Sequence, residues 1–256
     1  MDKQQLERLF DLSGRVAVIT GGSRGIGRSI AEGYALAGAR VVIASRKAEA
    51  CEETVAAIEA AGGEALAVPT HMGELDQLKR LAERTLDHFG AIDILVNNAA
   101  NALAMPFAQM TPEAWEKSLS VNLRGPVFLT QYCLPGLERS DHASVIHVSS
   151  AGAFLFSQFT HMYAAAKAGL LAYVRSNAAE LAPMQIRVNG IAPGTIDTDM
   201  VRNNPPAMQD AMAKASLMGR AAHPDELVGM ALFLASDASS FVTGATFHVD
   251  GGLVPR

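Results

Sequence analysis

Arg15-Val16-Ala17-Val18-Ile19-Thr20-Gly21-Gly22-Ser23-Arg24-Gly25-Ile26-Gly27 is the stretch that decides the fold. A short run of small and β-branched apolar residues feeds straight into a glycine-rich turn. Ile26, Ile30 and Tyr34 then recur at helical spacing. Strand, glycine loop and helix in that order are the setting of a dinucleotide cradle. Glycines at 21, 25 and 27 let the backbone turn tightly and approach a pyrophosphate. Its negative charge is then met by loop N–H groups and the positive end of the helix. Gly21, Ser23, Arg24, Gly25, Ile26 and Gly27 are therefore candidate phosphate contacts. Alone the fingerprint is weak, because an ordinary glycine-rich turn carries the same letters.

Further along, the same alternation of short apolar runs and long helix-compatible stretches repeats. Candidate strands fall at 15–20, 40–44, 65–68, 92–96, 144–148, 186–191 and 246–249. Most are apolar on both faces, which suits a parallel sheet covered by helices on each side. The expected class is α/β: a single-domain, doubly wound (Rossmann) parallel sheet of seven strands spanning 14–252. Thr111-Pro112-Glu113 marks a helix start, with an N-cap hydroxyl, a pre-set first residue and an acid near the positive dipole end. Residues 1–13 read as a short amphipathic lead-in, and 253–256 as the remnant of a cleavable tag. From 194 to 219 a methionine-rich segment broken by Asn203-Asn204-Pro205-Pro206 reads as a mobile lid.

Bulk composition narrows the partners. A length of 256 residues with 49% hydrophobic content suits one sizeable core. A net charge of −5 argues against nucleic acid and acidic membranes. Two cysteines, Cys51 and Cys133, both on helix-compatible apolar segments, offer neither a disulfide framework nor a cysteine metal site, which fits a reducing cytoplasm. His147 and His161 lie in no metal-ligand spacing and are expected to pack or sit at the surface, so no metal is expected.

The end of the second strand indicates which cofactor. A site for NAD usually places a carboxylate there for the ribose hydroxyl, but here stand Ser45, Arg46 and Lys47. Arg46 can clamp a 2′-phosphate and stack on adenine, and Arg24 can reach the same phosphate from the glycine loop. Two charge-assisted contacts of about 1.5–3 kcal/mol each favour NADPH over NADH by on the order of a hundredfold or more. The alternative is that both arginines are solvated surface charges.

Tyr163-Ala164-Ala165-Ala166-Lys167 places a phenol and an ammonium on one face of a helix. A free tyrosine, with a pKa of about 10, is a poor base near neutrality unless a fixed cation favours the phenolate. Taken alone, such a pair is usually a surface pair. Its company changes that reading: the glycine loop, Asn97-Asn98-Ala99-Ala100 after the fourth strand, Asn122 in Val121-Asn122-Leu123-Arg124-Gly125, and Ser149-Ser150 after the fifth strand. Together these residues strongly resemble the short-chain dehydrogenase/reductase family over 14–252.

The resemblance implies roles residue by residue. Tyr163 matches the general acid that gives its proton to a carbonyl oxygen as hydride reaches the carbon. Lys167 would lower the tyrosine pKa and bind the nicotinamide ribose, Ser150 would hold the carbonyl oxygen, and Asn122 would anchor a water of a proton relay. Ser149 is the structural alternative to Ser150. Pro193, Gly194, Ile196 and Thr198 match the segment against the nicotinamide, and Asn98, Ala99 and Ala100 the adenine and ribose contact. Two departures stand out. Ala100 replaces a common glycine, and His71, followed by Met72, stands where many members place an aspartate on the adenine amino group. The family commonly assembles as tetramers, so a homotetramer is implied, with Asp250 a structural turn near a subunit contact.

The implied reaction is NADP(H)-dependent exchange between a ketone and a secondary alcohol. Asn101, Ala151, Phe154, Phe156, Phe159 and Met200 form the expected substrate pocket, soft and apolar, which suits a hydrophobic or aryl ketone better than a sugar. Reduction of 3-oxoacyl chains on an acidic carrier protein is a known family role and needs basic docking residues. Here Glu138-Arg139-Ser140-Asp141-His142 and Met184 occupy those places, which ranks carrier-bound substrates lower. Enoyl reductases of this fold use a wider Tyr–Lys gap. A cofactor-binding sensor without turnover is the non-enzyme alternative.

Overall fold

Alternate residues of the central strands go to opposite faces of one sheet, and both faces are covered. The computed structural model describes residues 1–156 and 158–254. Its strands are β1 (Val16–Thr20), β2 (Arg40–Ala44), β3 (Glu64–Ala67), β4 (Ile94–Asn97), β5 (Ser144–Val148), β6 (Arg187–Pro193) and β7 (Thr246–Val249). They form one seven-stranded sheet in the order β3-β2-β1-β4-β5-β6-β7, and every pairing is parallel. The helices are α1 (Lys3–Arg8), α2 (Gly25–Leu36), α3 (Ala48–Ala60), α4 (Leu75–Phe89), α5 (Pro112–Leu119), α6 (Gly125–Leu137), α7 (His161–Leu181), α8 (Asp199–Arg202), α9 (Pro206–Lys214) and α10 (Val228–Ala235).

One core holds Val16, Val18, Leu95, Val145 and Val188 against Leu78 and Leu81 of α4, Leu129 and Cys133 of α6, and Leu181 of α7. The other holds Ala17, Ile19, Ile43, Val96, Ile146 and Ile191 against Ile30 and Tyr34 of α2, Ile58 of α3 and Leu234 of α10. This two-sided burial is why the strands read as continuous apolar runs. Truncating any of these leucines to alanine costs about 2–5 kcal/mol. The buried Tyr34 hydroxyl donates to Ala231 O at 2.7 Å, which satisfies its polar end. The expected helix start at Thr111 is present, its hydroxyl accepting from Ala114 N at 3.2 Å.

Several boundaries move. The fourth strand begins at Ile94 rather than 92, because Asp93 turns its carboxylate to the Val16 N–H at 2.7 Å. The third and sixth are displaced too, to Glu64–Ala67 and Arg187–Pro193. The segment expected as a lid contains two helices, α8 and α9. Arg202 forms a forked pair with Asp197 at 2.7 and 2.9 Å, and Gln209 Nε2 donates to Arg202 O and Asn204 O. Leu253 and Val254, set aside in the sequence as tag residues, pack with the terminus. Val254 is 9% exposed and its N–H donates to Asp250 Oδ2 at 3.1 Å. Pro255 and Arg256 of the same expected tag, and Ser157 within the expected pocket segment, lie outside the described residues.

The strand order reverses between β1 and β4, whose carboxyl ends open the crevice where ligands of doubly wound sheets bind. The sequence motifs converge there.

Candidate active site

Thr20 and Asn98 stitch the glycine loop to the end of β4. Thr20 Oγ1 accepts from the N–H groups of Asn98 and Ala99 at 3.0 and 3.1 Å. Asn98 Nδ2 donates to Thr20 O at 2.8 Å and Gly21 O at 3.4 Å. Its amide nitrogen therefore shapes the loop. Gly21 has φ +67°, and a Cβ there would meet Asn98 Nδ2 at 2.8 Å. A Cβ on Gly27 would overlap Gly21 O and Asn98 Nδ2. The loop thus closes tightly because these positions lack side chains, and Gly25 and Ile26 open α2 with its N–H groups toward the crevice.

Beside the loop, Ser23 and Ser45 hydroxyls are 2.9 Å apart, which closes the floor between the loop and β2. Arg46 is exposed at the end of β2. Arg24 is engaged with Asp199, the first residue of α8, at 2.9 Å. His71 Nδ1 accepts from Gly73 N at 3.1 Å, so a neutral His71 ring carries its proton on Nε2 and offers a donor where an aspartate would accept. Met72, beside it, is buried against Gly125, and Ala100 is partly exposed after β4.

Helix α7 delivers Tyr163 and Lys167 one turn apart. The phenol is hydrogen-bonded to Ser150, whose Oγ also accepts from Gly152 N at 3.1 Å. Lys167 is 1% exposed; its Nζ donates to Val148 O at 2.6 Å and lies 5.7 Å from the Tyr163 ring centroid. Burial lowers the Lys167 pKa to about 8. Burial raises the Tyr163 pKa, with the Ser150 hydrogen bond opposing it. In the protein alone desolvation dominates, and the phenol holds its proton. Ser149 Oγ donates to Lys167 O at 3.0 Å, the structural alternative anticipated for it.

Asn122 sits in a π turn, Ser120–Arg124, between α5 and α6. Its Nδ2 donates to Asn101 O at 2.8 Å, Asn101 Oδ1 at 2.9 Å and Ser118 O at 3.0 Å, while its Oδ1 accepts from Asn101 N at 3.0 Å. The side chain expected to anchor a water is fully used in a clasp on the loop after β4. Asn101, expected to line the pocket, is the other half of that clasp.

The expected pocket residues divide. Phe156 and Phe159 join Phe107, Gln158 and His161 around an open cavity of about 480 Å³. Phe159 has φ +65°, an uncommon conformation for a bulky residue, and its carbonyl accepts from Met105 N at 2.7 Å. The His161 ring makes an edge contact with Phe107 and its Nε2 donates to Met105 O at 3.1 Å. Phe154 lies elsewhere, 4.6 Å from the His248 ring, Ala151 is buried at 3% exposure, and Met200 is exposed on α8. Gln158 falls within the expected pocket segment, 151–159, whereas Phe107 and His161 were missed in the sequence. The available signal was Pro106-Phe107 in an apolar loop and a histidine two residues before Tyr163.

Pro193 ends β6, and Gly194 packs so tightly on Asp250 that a Cβ would meet its Cα at 2.7 Å. Ile196 is buried, and Thr198 Cγ2 would touch a Cβ on Gly25 at 3.0 Å, so this segment walls the crevice opposite α2. Asp250 accepts from Gly252 N and Val254 N at 3.0 and 3.1 Å, the structural turn expected of it. Among the described residues no group of three or more His, Cys, Asp or Glu could hold a metal, and no helix is long and apolar enough to cross a membrane.

Comparison with known proteins matches this geometry. Residues 21–254 fit a family model described as enoyl-(acyl carrier protein) reductase. The chain is 35% identical to the 3-oxoacyl-[acyl-carrier-protein] reductase of Thermotoga maritima, covering 95% of this chain and 99% of that protein. It is 35% identical to dehydrogenase/reductase SDR family member 4 of Sus scrofa, covering 98% and 91%. A crystal structure of a 3-oxoacyl (acyl-carrier-protein) reductase from Agrobacterium tumefaciens C58 with NADP bound superposes with a TM-score of 0.91 at 36% identity, covering 98% and 100%. The chain belongs to the short-chain dehydrogenase/reductase family, oxidoreductases acting on CH–OH and C=O groups.

Proposed function

We propose that this chain binds NADP(H) in the glycine cradle and interconverts a small hydrophobic ketone and its secondary alcohol. The observation that carries the reading is the Ser150–Tyr163–Lys167 set. A protonated phenol is hydrogen-bonded to a serine, with a buried ammonium one turn further along, at the carboxyl end of the sheet beside the cradle. Gly21, Gly25 and Gly27 let the loop close on itself, on Asn98 and on Thr198, so that its backbone can approach a pyrophosphate; Arg24 and Arg46 would take the 2′-phosphate, and Pro193, Gly194, Ile196 and Thr198 would back the nicotinamide. The cofactor would supply the hydride. Ser150 holds the substrate oxygen, and Tyr163 Oη gives it a proton as the carbon is reduced; in oxidation Tyr163 takes that proton back. Lys167 orients the ribose, and its charge favours the phenolate left behind. The segment from 194 to 219 acts as the lid.

Phe107, Phe156 and Phe159 favour a hydrophobic or aryl substrate. A second reading, 3-oxoacyl reduction on a carrier protein or coenzyme A, is favoured by the relatives' names. The hollow lined by Leu123, Val127, Phe128 and Tyr173 on α6 and its neighbours supports self-association, proposed as a homotetramer.

The test is NADPH oxidation, with NADH in parallel, against aryl ketones, alicyclic ketones, keto-sugars and 3-oxoacyl thioesters. Turnover of aryl or alicyclic ketones is expected. Saturation by 3-oxoacyl carrier protein at low micromolar levels would install the second reading. Tyr163→Phe should lose about 10²–10⁴-fold in turnover while keeping NADPH affinity, and activity that persists refutes the assigned acid.

A further inference from the structure

Behind Lys167, three buried side-chain atoms have no hydrogen-bond partner among the described residues: Asn97 Oδ1 and both ring nitrogens of His147. Asn97 and His147 are direct register partners on β4 and β5, so both side chains leave the same face of the sheet. That face is the one under α4, α6 and α7, since Val145, two residues before His147, packs in their core. On its other side His147 is paired with Gly190, which brings no side chain. Asn97 is 1% exposed and His147 0%. The Asn97 amide nitrogen is already used, donating to Thr130 Oγ1 at 3.2 Å.

Native interiors seldom leave such atoms unmet, and a polar site of this kind usually holds ordered water. The chemistry is specific. Asn97 Oδ1 and the bare nitrogen of a neutral imidazole are acceptors, and the ring N–H is a donor. One water can donate its two hydrogens to the two acceptors and keep its lone pairs for an N–H of Lys167; a second takes the ring N–H. We infer that Asn97 and His147 hold ordered water beneath Lys167, and that His147 is a neutral positioning residue for its ammonium. This is separate from the relay water assigned to the Asn122 turn.

Burial, helped by the nearby Lys167 charge, lowers the His147 pKa to about 3, so the ring stays neutral and cannot repel the ammonium at working pH. The titratable groups facing Lys167 are Tyr163 on its own helix and His147 on β5; among the described residues no carboxylate offsets its burial. Water that accepts from Nζ therefore favours the charged form, and its loss lowers the pH at which Lys167 gives up its proton.

This inference rests on the proposed role of Lys167, so one arm of the test does not need turnover. In ¹⁵N-labelled wild-type protein, the His147 ring should show one neutral tautomer between about pH 5 and 8, and a high-resolution crystal structure should show water against Asn97 Oδ1 and the ring. A ring titrating near pH 6.5, or a dry site, overturns the proposal whatever the enzyme reduces. In the kinetic arm, His147→Leu should move the alkaline limb of the kcat–pH profile down by about one unit, tenfold in the proton equilibrium, while His147→Asn restores it. A leucine variant that folds and leaves the limb in place, or an asparagine variant that shifts it equally, overturns the positioning role. If the leucine variant does not fold, the wild-type ring and the crystallographic water decide.

Discussion

Arg24 Nη1 lies 2.9 Å from Asp199 Oδ2, joining the glycine loop to the first helix of the lid segment. Both side chains are largely exposed, 70% and 48%, so the pair contributes no more than about 1 kcal/mol. A charge-assisted contact from Arg24 to a 2′-phosphate, at about 1.5–3 kcal/mol, outweighs it. The arginine should therefore exchange Asp199 for the phosphate when NADPH enters. The double variant Arg24→Ala, Arg46→Ala should erase an NADPH preference of about a hundredfold, read as the ratio of kcat/KM for NADPH and NADH. An unchanged ratio removes both arginines from cofactor choice. Asp199→Asn should keep the ratio or raise it, by about twofold to fivefold, because it removes the competitor.

Gly27→Ala should abolish cofactor binding and destabilise the fold by about 2 kcal/mol or more. Its Cβ would overlap the Gly21 carbonyl and the Asn98 amide, which are backbone and hydrogen-bonded groups that cannot move aside. Gly62→Ala is the control. Its φ of +86° carries strain of roughly 1 kcal/mol, but a Cβ there meets nothing within 4 Å. Fluorescence titration with NADPH and thermal melts should separate the two: lost binding at 27, a small drop in Tm with binding kept at 62.

Lys167 predicts a pH-dependent stability. An unfolded lysine holds its proton to about pH 10.5, whereas buried Lys167 gives it up near pH 8. Between those values the unfolded chain binds more protons, so the Lys167 contribution to stability rises with pH; below pH 8 the full burden of the buried charge is present. Buried Cys133, raised from 9.0 to about 12, acts in the opposite sense above pH 9. Comparison with Lys167→Met cancels that opposing contribution, because both proteins keep Cys133. The unfolding free energy of wild type minus Lys167→Met should climb by on the order of 3 kcal/mol from pH 8 to 10.5. A flat difference in urea melts across that range would show that Lys167 is not desolvated.

What was legible in the sequence is what acts locally. The glycine loop is read from its place between a strand and a helix, and Tyr163 with Lys167 from one helical turn. The doubly wound class follows from strands apolar on both faces. What was not legible depends on residues far apart in the chain. The Asn122 side chain is spent on Asn101, 21 residues away, and Arg24 pairs with Asp199 across 175. Burial, which raises the Tyr163 pKa against the Ser150 hydrogen bond, has no sequence spacing at all. The two helices of the lid segment had a signal that was read too narrowly: Pro205-Pro206 marks a helix start as well as a break, with Pro206 opening α9.

Phe107 tests whether the aromatic cavity chooses the substrate. It is 73% exposed, so its truncation should leave stability within about 0.5 kcal/mol. Its ring meets His161 edge-on at 5.8 Å and lines the cavity with Phe156 and Phe159. An aryl group seated there would lose an aromatic contact of about 0.5–1.5 kcal/mol together with buried area. Phe107→Ala should therefore raise KM for aryl ketones by about fivefold to thirtyfold with kcat little changed, because the contact is the same in ground and transition states. Small aliphatic ketones too short to reach the ring should show no effect. Equal losses for both substrate classes would place the binding surface elsewhere, with Phe154 beside His248 the next candidate.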